Sequence, residues 1–262
     1  MQTKKINVSL ISHMGSDLSV VNAARVSFLG ESQELTDKDA KLIHYLKEYQ
    51  HDSPFEHCTA TFKIECDLNT AMQILRHRTF AYNMVSRRYT SEDIWFYKPD
   101  LYREQAKSNR QASLGPVDDQ DVLDTLFADH YRTCLDAYNE ALERGLCREQ
   151  ARFLLPQGMG TAFYMTGNLR NWMHFLNLRD STHAQGEVRE VATLVREQLR
   201  ELFPVSMDAF DRYWRVTTIM QTAVKDAKRH HKDLTDAKPQ DQFKQGYRAA
   251  LSWLLITLGE DD

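Results

Sequence analysis

Residues 76–89 read RHRTFAYNMVSRRY, placing Arg76, His77, Arg78, Arg87 and Arg88 in one short stretch of a chain whose formal net charge is −4. Arginine stays charged at every physiological pH and offers a planar fork of N–H donors. Several arginines on converging elements therefore suit a phosphate, a pyrophosphate or a polarised carbonyl. Each charge-assisted hydrogen bond of this kind is worth roughly 1.5–3 kcal/mol. The stretch is either a solvated basic face or a pocket for an anion, and the sequence on both sides has to decide.

Immediately upstream, Asp67 or Asn69 can cap a helix whose apolar members Ala71, Met72, Ile74 and Leu75 run into the cluster, so the cations begin at a helix end. Before that helix, TATFKIEC at 59–66 puts Ala60, Phe62, Ile64 and Cys66 on one side and Thr59, Thr61, Lys63 and Glu65 on the other, the alternation of a half-buried strand. Ile6, Val8 and Leu10 suggest an opening strand, residues 20–29 a helix, and residues 36–50 a helix capped by Thr36. Downstream, 94–97 reads as a strand and the polar run 103–120 as a loop or mobile insertion. A helix follows over 121–144 with Gly145 as its stop, and further helices are expected near 147–155, 168–178, 184–203 and 207–215. The fold class is α/β (α+β): a helix-rich single domain with a central sheet over residues 1–215, with 216–262 as a helical C-terminal extension packed on it.

Composition excludes several classes. At 262 residues the chain can bury a substantial core. The N-terminal MQTKKINVSLISHMGSD reads as neither a signal peptide nor a membrane span, and LSWLLITL at 251–258 is too short to cross a bilayer, so a cytoplasmic address without membrane contact is expected. Cys58, Cys66, Cys134 and Cys147 have no CxxC spacing and read as reduced, mostly core residues; with no HExxH pattern either, no metal is expected. The glycine-rich QGMGTAFYMTG at 157–167 lacks GxGxxG spacing and follows Pro156 rather than a clear strand, which argues against a dinucleotide-binding dehydrogenase.

Spacing carries the reading further. Arg76, His77 and Arg78 are followed after seven residues by Ser86, and the stretch closes in SRRY. This RHR-x7-S arrangement resembles the signature of the flavin-dependent thymidylate synthases. NAARVSF at 22–28, HDSPFEH at 51–57, ARFLLP at 151–156 and GNLRNWMHFLNLRDSTHAQGEVRE at 167–190 are similar to that family's other motifs and come in the family's order.

The resemblance implies reductive methylation of dUMP to dTMP, with methylenetetrahydrofolate as carbon donor, NADPH as reductant and FAD as cofactor, in a homotetramer whose active sites are shared between subunits. It implies that Gln73, Arg76, Met84, Ser86, Arg87, Arg88, Arg152 and Arg179 bind dUMP. Arg179 would lie against the uracil, where a fixed guanidinium stabilises negative charge on the ring and makes C5 a better nucleophile. For FAD the matching positions are Ser27, His51, Ser53, Glu56, Arg76, His77, Arg78, Asn168, Arg170 and His174. His183 and Gln185 also match, without an assigned role. Four positions depart from the family pattern: Ala81 for the usual Ser, Met84 for a more often polar residue, Ser53 for Thr, and His174 where some members have Asn. No catalytic cysteine is implied.

The competing reading is a single-stranded nucleic-acid-binding module, with the arginines on phosphates and Tyr82 and Tyr89 stacking on bases. It requires a basic domain, whereas the chain is acidic overall. The reading adopted involves no nucleic acid.

Overall fold

The computed structural model describes residues 1–106, 113–181 and 184–214. The expected extension 216–262 and the family-matching His183 lie outside them.

The elements follow in order: β1 (Gln2–Lys4), β2 (Asn7–Met14), α1 (Asp17–Arg25), α2 (Asp37–Glu48), β3 (Thr59–Asp67), α3 (Leu68–Ile74), β4 (Ala81–Met84) and β5 (Trp95–Tyr97). After these come β6 (Arg103–Gln105), β7 (Ser113–Pro116), α4 (Gln120–Glu143), α5 (Arg148–Ala151), β8 (Gly160–Asn168), α6 (Leu169–Arg179) and α7 (Gly186–Leu202). A last described helix covers 204–214.

The main sheet is antiparallel in the order β2-β3-β8-β4. Its inner face carries the alternating side chains foreseen in TATFKIEC: Ala60, Phe62, Ile64 and Cys66 are buried. Trp172 of α6 meets Phe62 edge-on, 5.0 Å between ring centroids, and donates its indole N–H to the Ala60 carbonyl at 3.1 Å. Each fully buried side chain of this size contributes about 1.5–3 kcal/mol. α7 packs Val188, Val191, Ala192, Val195 and Leu199 into the same core. The Gln198 side chain also serves the edge strand β2, donating to the Val8 carbonyl and accepting from the Leu10 N–H.

Strand-to-helix corners fix the frame of the site. Asp67, at the end of β3, accepts from Thr70 N–H at 3.0 Å and caps α3; Asn168, at the end of β8, accepts from Asn171 N–H at 2.9 Å and caps α6. Both are Asx N-caps of the kind typically worth about 1 kcal/mol. Thr36 and Asp39 form a capping box at α2.

One expectation is corrected. The run 103–120 is not simply a loop, because Arg103–Gln105 and Ser113–Pro116 pair as antiparallel β6 and β7, anchored where the Gln120 side chain bonds both the N–H and the C=O of Tyr102. The stretch QGMGTAFYMTG, which lacks a dinucleotide-binding spacing, runs into β8, a strand the sequence reading did not assign and which lies between β3 and β4. Cys147 is exposed, at the N-cap of α5, whereas Cys58 and Cys66 are buried as expected. No described helix is long and apolar enough to cross a membrane, and no His/Cys/Asp/Glu group among the described residues could hold a metal ion.

Candidate active site

The basic stretch wraps both ends of β4, and the two ends differ. On the N-terminal side, α3 stops at Ile74 and the chain turns, with His77 N–H bonded to the Ile74 carbonyl at 3.0 Å. Tyr82 pins this turn, its hydroxyl donating to the Ile74 and His77 carbonyls at 3.1 and 2.9 Å. Tyr82 is therefore turned inward rather than toward a ligand, and burial pushes its phenol up to about 12.

The imidazole of His77 is buried, edge-on to Phe175 at 5.0 Å between centroids. Arg179, the last residue of α6, donates its Nε–H to His77 Nε2 at 2.9 Å, and its Nη2 reaches the Gln73 carbonyl at 3.4 Å. An Nε2 that accepts a hydrogen bond carries no proton, so the ring is neutral. Burial first, then the charge of Arg179 and the neighbouring His174, hold His77 down to about 4. Arg179 itself is half-buried, and no carboxylate pairs with it among the described residues. It is a guanidinium fixed in place at the end of α6.

α6 links this end to HDSPFEH. Its buried side carries Leu169, Trp172, Met173, Phe175 and Leu176, leaving Arg170, His174 and Asn177 as an exposed stripe one turn apart. Arg170 pairs with Glu56, and the Glu56 hydrogen bond is the main influence raising the Arg170 pKa. Asn171 donates to the Thr79 carbonyl at 3.0 Å, which joins α6 to the RHR turn. Asp52, Thr79, Arg170, Asn171, His174 and Asn177 line one side of a cleft of about 800 Å³, within the usual range for a ligand pocket. Arg76 and Arg78 are exposed, with no side-chain hydrogen bond or ion pair among the described residues. His51 and Ser53 are exposed on the same turn as Glu56, and Ser27 is exposed in the short helix Val26–Phe28.

At the C-terminal end of β4, Ser86 Oγ accepts from the Arg88 N–H at 3.3 Å. Arg88 Nε lies 3.6 Å from a Glu149 carboxylate oxygen, while Arg152 Nε donates to the Glu149 carbonyl at 3.2 Å. Ser86, Arg88 and Arg152 thus come together around α5, with Glu149 as a shared neighbour that the sequence reading did not single out. Met84 is exposed at the end of β4. Arg87 does not join them: it is buried, and its guanidinium donates to the carbonyls of Glu92 and Asp93. Its side chain braces the turn, so the contact with dUMP expected of Arg87 falls to its backbone N–H. Gln185, left without a role above, accepts from the Gln73 side chain and donates to Glu187.

Ala81 to Met84 spans about 10 Å of strand. Within one chain the Arg179 group and the Arg88–Arg152 group therefore sit at opposite ends of β4, held there by the β4·β8 register Ala81↔Thr166 through Met84↔Phe163.

Residues 9–205 match the family described as thymidylate synthase complementing protein. Among curated proteins, the flavin-dependent thymidylate synthase of Thermus thermophilus is 39% identical over 206 residues, 79% of this chain and 76% of its own. That of Thermosipho africanus is 37% identical over 210 residues, covering 78% and 90%. Among solved structures, a UMP/dUMP methylase from Streptomyces cacaoi bound with 5-Br dUMP superposes with a TM-score of 0.75 at 35% identity, over 82% of this chain and 99% of that one. With a matching order of motifs, a matching fold and relatives of this identity across most of its length, the chain belongs to the flavin-dependent thymidylate synthase family.

Proposed function

We propose that the protein methylates dUMP at C5 to give dTMP, with methylenetetrahydrofolate as carbon donor, NADPH as reductant and FAD as cofactor, as a cytoplasmic homotetramer. The observation that carries this reading is Arg179: a half-buried guanidinium without a carboxylate partner among the described residues, held by a neutral histidine at the floor of the basic turn.

The residues present fit a flavin dinucleotide. The cleft beside α6 offers Arg170, His174 and Asn171, and Arg76 and Arg78, exposed on the RHR turn with no ion pair among the described residues, are cations suited to a pyrophosphate and an electron-rich ring. When bound, FAD supplies the hydride chemistry that no side chain can perform. His51, Ser53, Glu56, Ser27 and Asn168 complete the proposed cofactor set, with Asn168 already committed as a helix cap.

The protein's own part is electrostatic. Arg179, kept in place by His77 and the Gln73 carbonyl, stabilises negative charge on the uracil as C5 becomes nucleophilic. Gln73 and Arg76 assist at that end, while Ser86, Arg88 and Arg152 take the phosphate. The scheme uses no cysteine nucleophile, and burial pushes the Cys58 thiol up to about 11 and also raises Cys66. The separation of the two groups along β4 favours a site completed by a second copy. The exposure of Phe28 (87%), Leu29 (99%) and Phe153 (77%) near the proposed ligand residues favours the same arrangement.

The test is an absorbance spectrum of the purified protein before and after dUMP, followed by dTMP formation with methylenetetrahydrofolate and NADPH. UMP is run in parallel, because the Streptomyces cacaoi relative is described as acting on both nucleotides. A yellow protein whose spectrum responds to dUMP and that forms dTMP bears the proposal out. A colourless protein that FAD does not reconstitute, or a flavoprotein inert toward dUMP, overturns it.

A further inference from the structure

Arg179 is held at its head by His77, but a long side chain also needs its backbone fixed. The end of α6 has little apolar anchorage: Leu176 is buried, Asn177 and Leu178 are exposed, and Arg179 is half-buried. The next residue, Asp180, is the C-cap. Its carboxylate lies 2.8 Å from Arg196 Nη1 of α7, and each of these side chains is only 13% exposed. Arg196 is roofed by aromatic rings of helix 204–214, with Trp214 at 5.0 Å and Phe210 at 5.9 Å from the guanidinium carbon. Its Nη2 stands 3.6 Å from Asp211, which accepts from Arg200 Nε at 3.1 Å. Arg196 Nε and Nη2 have no hydrogen-bond partner among the described residues, so the pair with Asp180 is its closest polar contact.

Such a pair is a poor way to gain stability. Desolvating two charges offsets most of their attraction, and apolar residues of similar size commonly do as well or better. Burial pushes the Asp180 carboxyl up, with Arg196 pulling it the other way and Asp211 adding to the rise. What an ion pair supplies and a hydrophobic contact does not is direction.

We propose that Asp180 and Arg196 form a strut that sets the orientation of Arg179, making Arg196 a positioning residue for methylation although it touches no ligand. The inference rests on the function proposed above. Two fixed points then define the catalytic guanidinium: its own backbone, tied through Asp180 to α7, and its Nε, tied to His77 on the RHR turn. The aromatic roof keeps Arg196 from swinging away, and Arg200 keeps Asp211 from competing for it.

The experiment uses the FAD-loaded protein and three changes, Arg196→Met, Arg196→Lys and the neutral pair Asp180→Asn/Arg196→Met, each also made in an Arg179→Ala background. Met fits between the rings and removes the charge; the double change also removes the buried carboxylate, so it folds where the single change fails. The expected result is a kcat for dTMP lowered at least tenfold by Arg196→Met and by the double change, with KM for dUMP within threefold and flavin content unchanged. Arg196→Lys restores kcat to within threefold of wild type. In the Arg179→Ala background the same changes should have no further effect, because the strut acts through Arg179. A second readout needs no turnover: the 15N resonance of His77 Nε2 should move in the double variant toward its position in Arg179→Ala. Losses that multiply in the Arg179→Ala background, or a His77 resonance that stays at its wild-type position, overturn the proposal. A wild-type protein that makes no dTMP defeats the functional reading instead, and the His77 resonance still decides the strut.

Discussion

At the N-terminal end of β4 the guanidinium of Arg179 is held against the core, and at the C-terminal end that of Arg88 lies on the surface. Arg179 is half-buried, bonded to a neutral imidazole and a carbonyl, and His77 beneath it is packed against Phe175. Arg88 is about half exposed, 49% by side chain, and its nearest acidic contact is a loose 3.6 Å approach to Glu149. A fixed charge stabilises a developing charge without reorganising, which suits the reacting ring. A mobile, exposed charge suits capture of a phosphate that arrives from solvent. In the function proposed above, the two ends of one strand divide the work into chemistry and binding.

The largest effect should come from testing that division directly. Arg179→Ala is expected to lower kcat for dTMP at least a hundredfold while flavin stays bound, the scale seen when one preorganised donor to a developing charge is lost. Arg88→Ala should raise KM for dUMP roughly tenfold to a hundredfold, the loss of one charge-assisted bond, and leave kcat within about threefold. Steady-state kinetics on both proteins would break the comparison if the two substitutions changed kcat alike.

Next in size is a pH effect confined to the buried end. The folded His77 is held at about 4, below its ordinary 6.5, so on acidification the unfolded chain takes up a proton first. Stability from keeping the ring neutral is fully present above pH 6.5 and is lost as the pH falls from 6.5 toward 4. The total over that window is on the order of 3 kcal/mol. Thermal unfolding of wild type and His77→Gln at pH 7 and pH 4.5 measures it, and the variant should lose less on acidification. An equal loss in both would place the titration elsewhere and weaken the case for a neutral acceptor under Arg179.

A third measurement separates neighbours inside the exposed end. Arg87 is 7% exposed and serves two backbone carbonyls, whereas Arg88 serves none among the described residues. Arg87→Met should cost about 2–3 kcal/mol of stability, because it leaves those carbonyls without their charged donor. Arg88→Met should stay within about 0.5 kcal/mol. Denaturant melts of the two variants that coincide would show that Arg87 is no brace.

These neighbours also show where sequence reading stops. The stretch SRRY was legible as a cluster of cations, but which arginine turns inward is set by the 86–90 turn, where Tyr89 and Thr90 N–H both bond to the Ser86 carbonyl. Local spacing does not encode that choice. The alternation in TATFKIEC and the Thr36 cap were legible because strand burial and helix capping follow fixed local rules. β8 went unread although its alternation was present, with Thr161, Phe163 and Met165 buried between Ala162, Tyr164 and Thr166. Its glycines were weighed only against a dinucleotide-binding pattern. They are there because rings lie on them: a Cβ at Gly160 would sit 2.1 Å from Trp95, and one at Gly167 would sit 2.4 Å from Phe80. β6 and β7 have too few apolar residues to announce strands, and the Gln120 side chain that holds Tyr102 beside β6 comes from the next element. Of the site, the residue types came from motif resemblance. The Arg179–His77 bond and the grouping at Glu149 needed coordinates.

The smallest expected effect lies on the polar stripe of α6, between the two extremes. Glu56 and Arg170 form an exposed pair, with side-chain exposures of 39% and 52%. Such pairs contribute about 0–1 kcal/mol, so Glu56→Gln should shift the melting temperature little and less still at high salt. If Arg170 faces the cofactor as proposed, removing its carboxylate frees the cation, and FAD affinity should stay within about threefold of wild type. Arg170→Ala should weaken FAD roughly tenfold, the loss of one charge-assisted bond. Fluorescence titration of the stripped protein with FAD measures both. Two variants weakened equally would mean that the pair acts as one unit holding HDSPFEH against α6, and that Arg170 reaches the flavin only through Glu56.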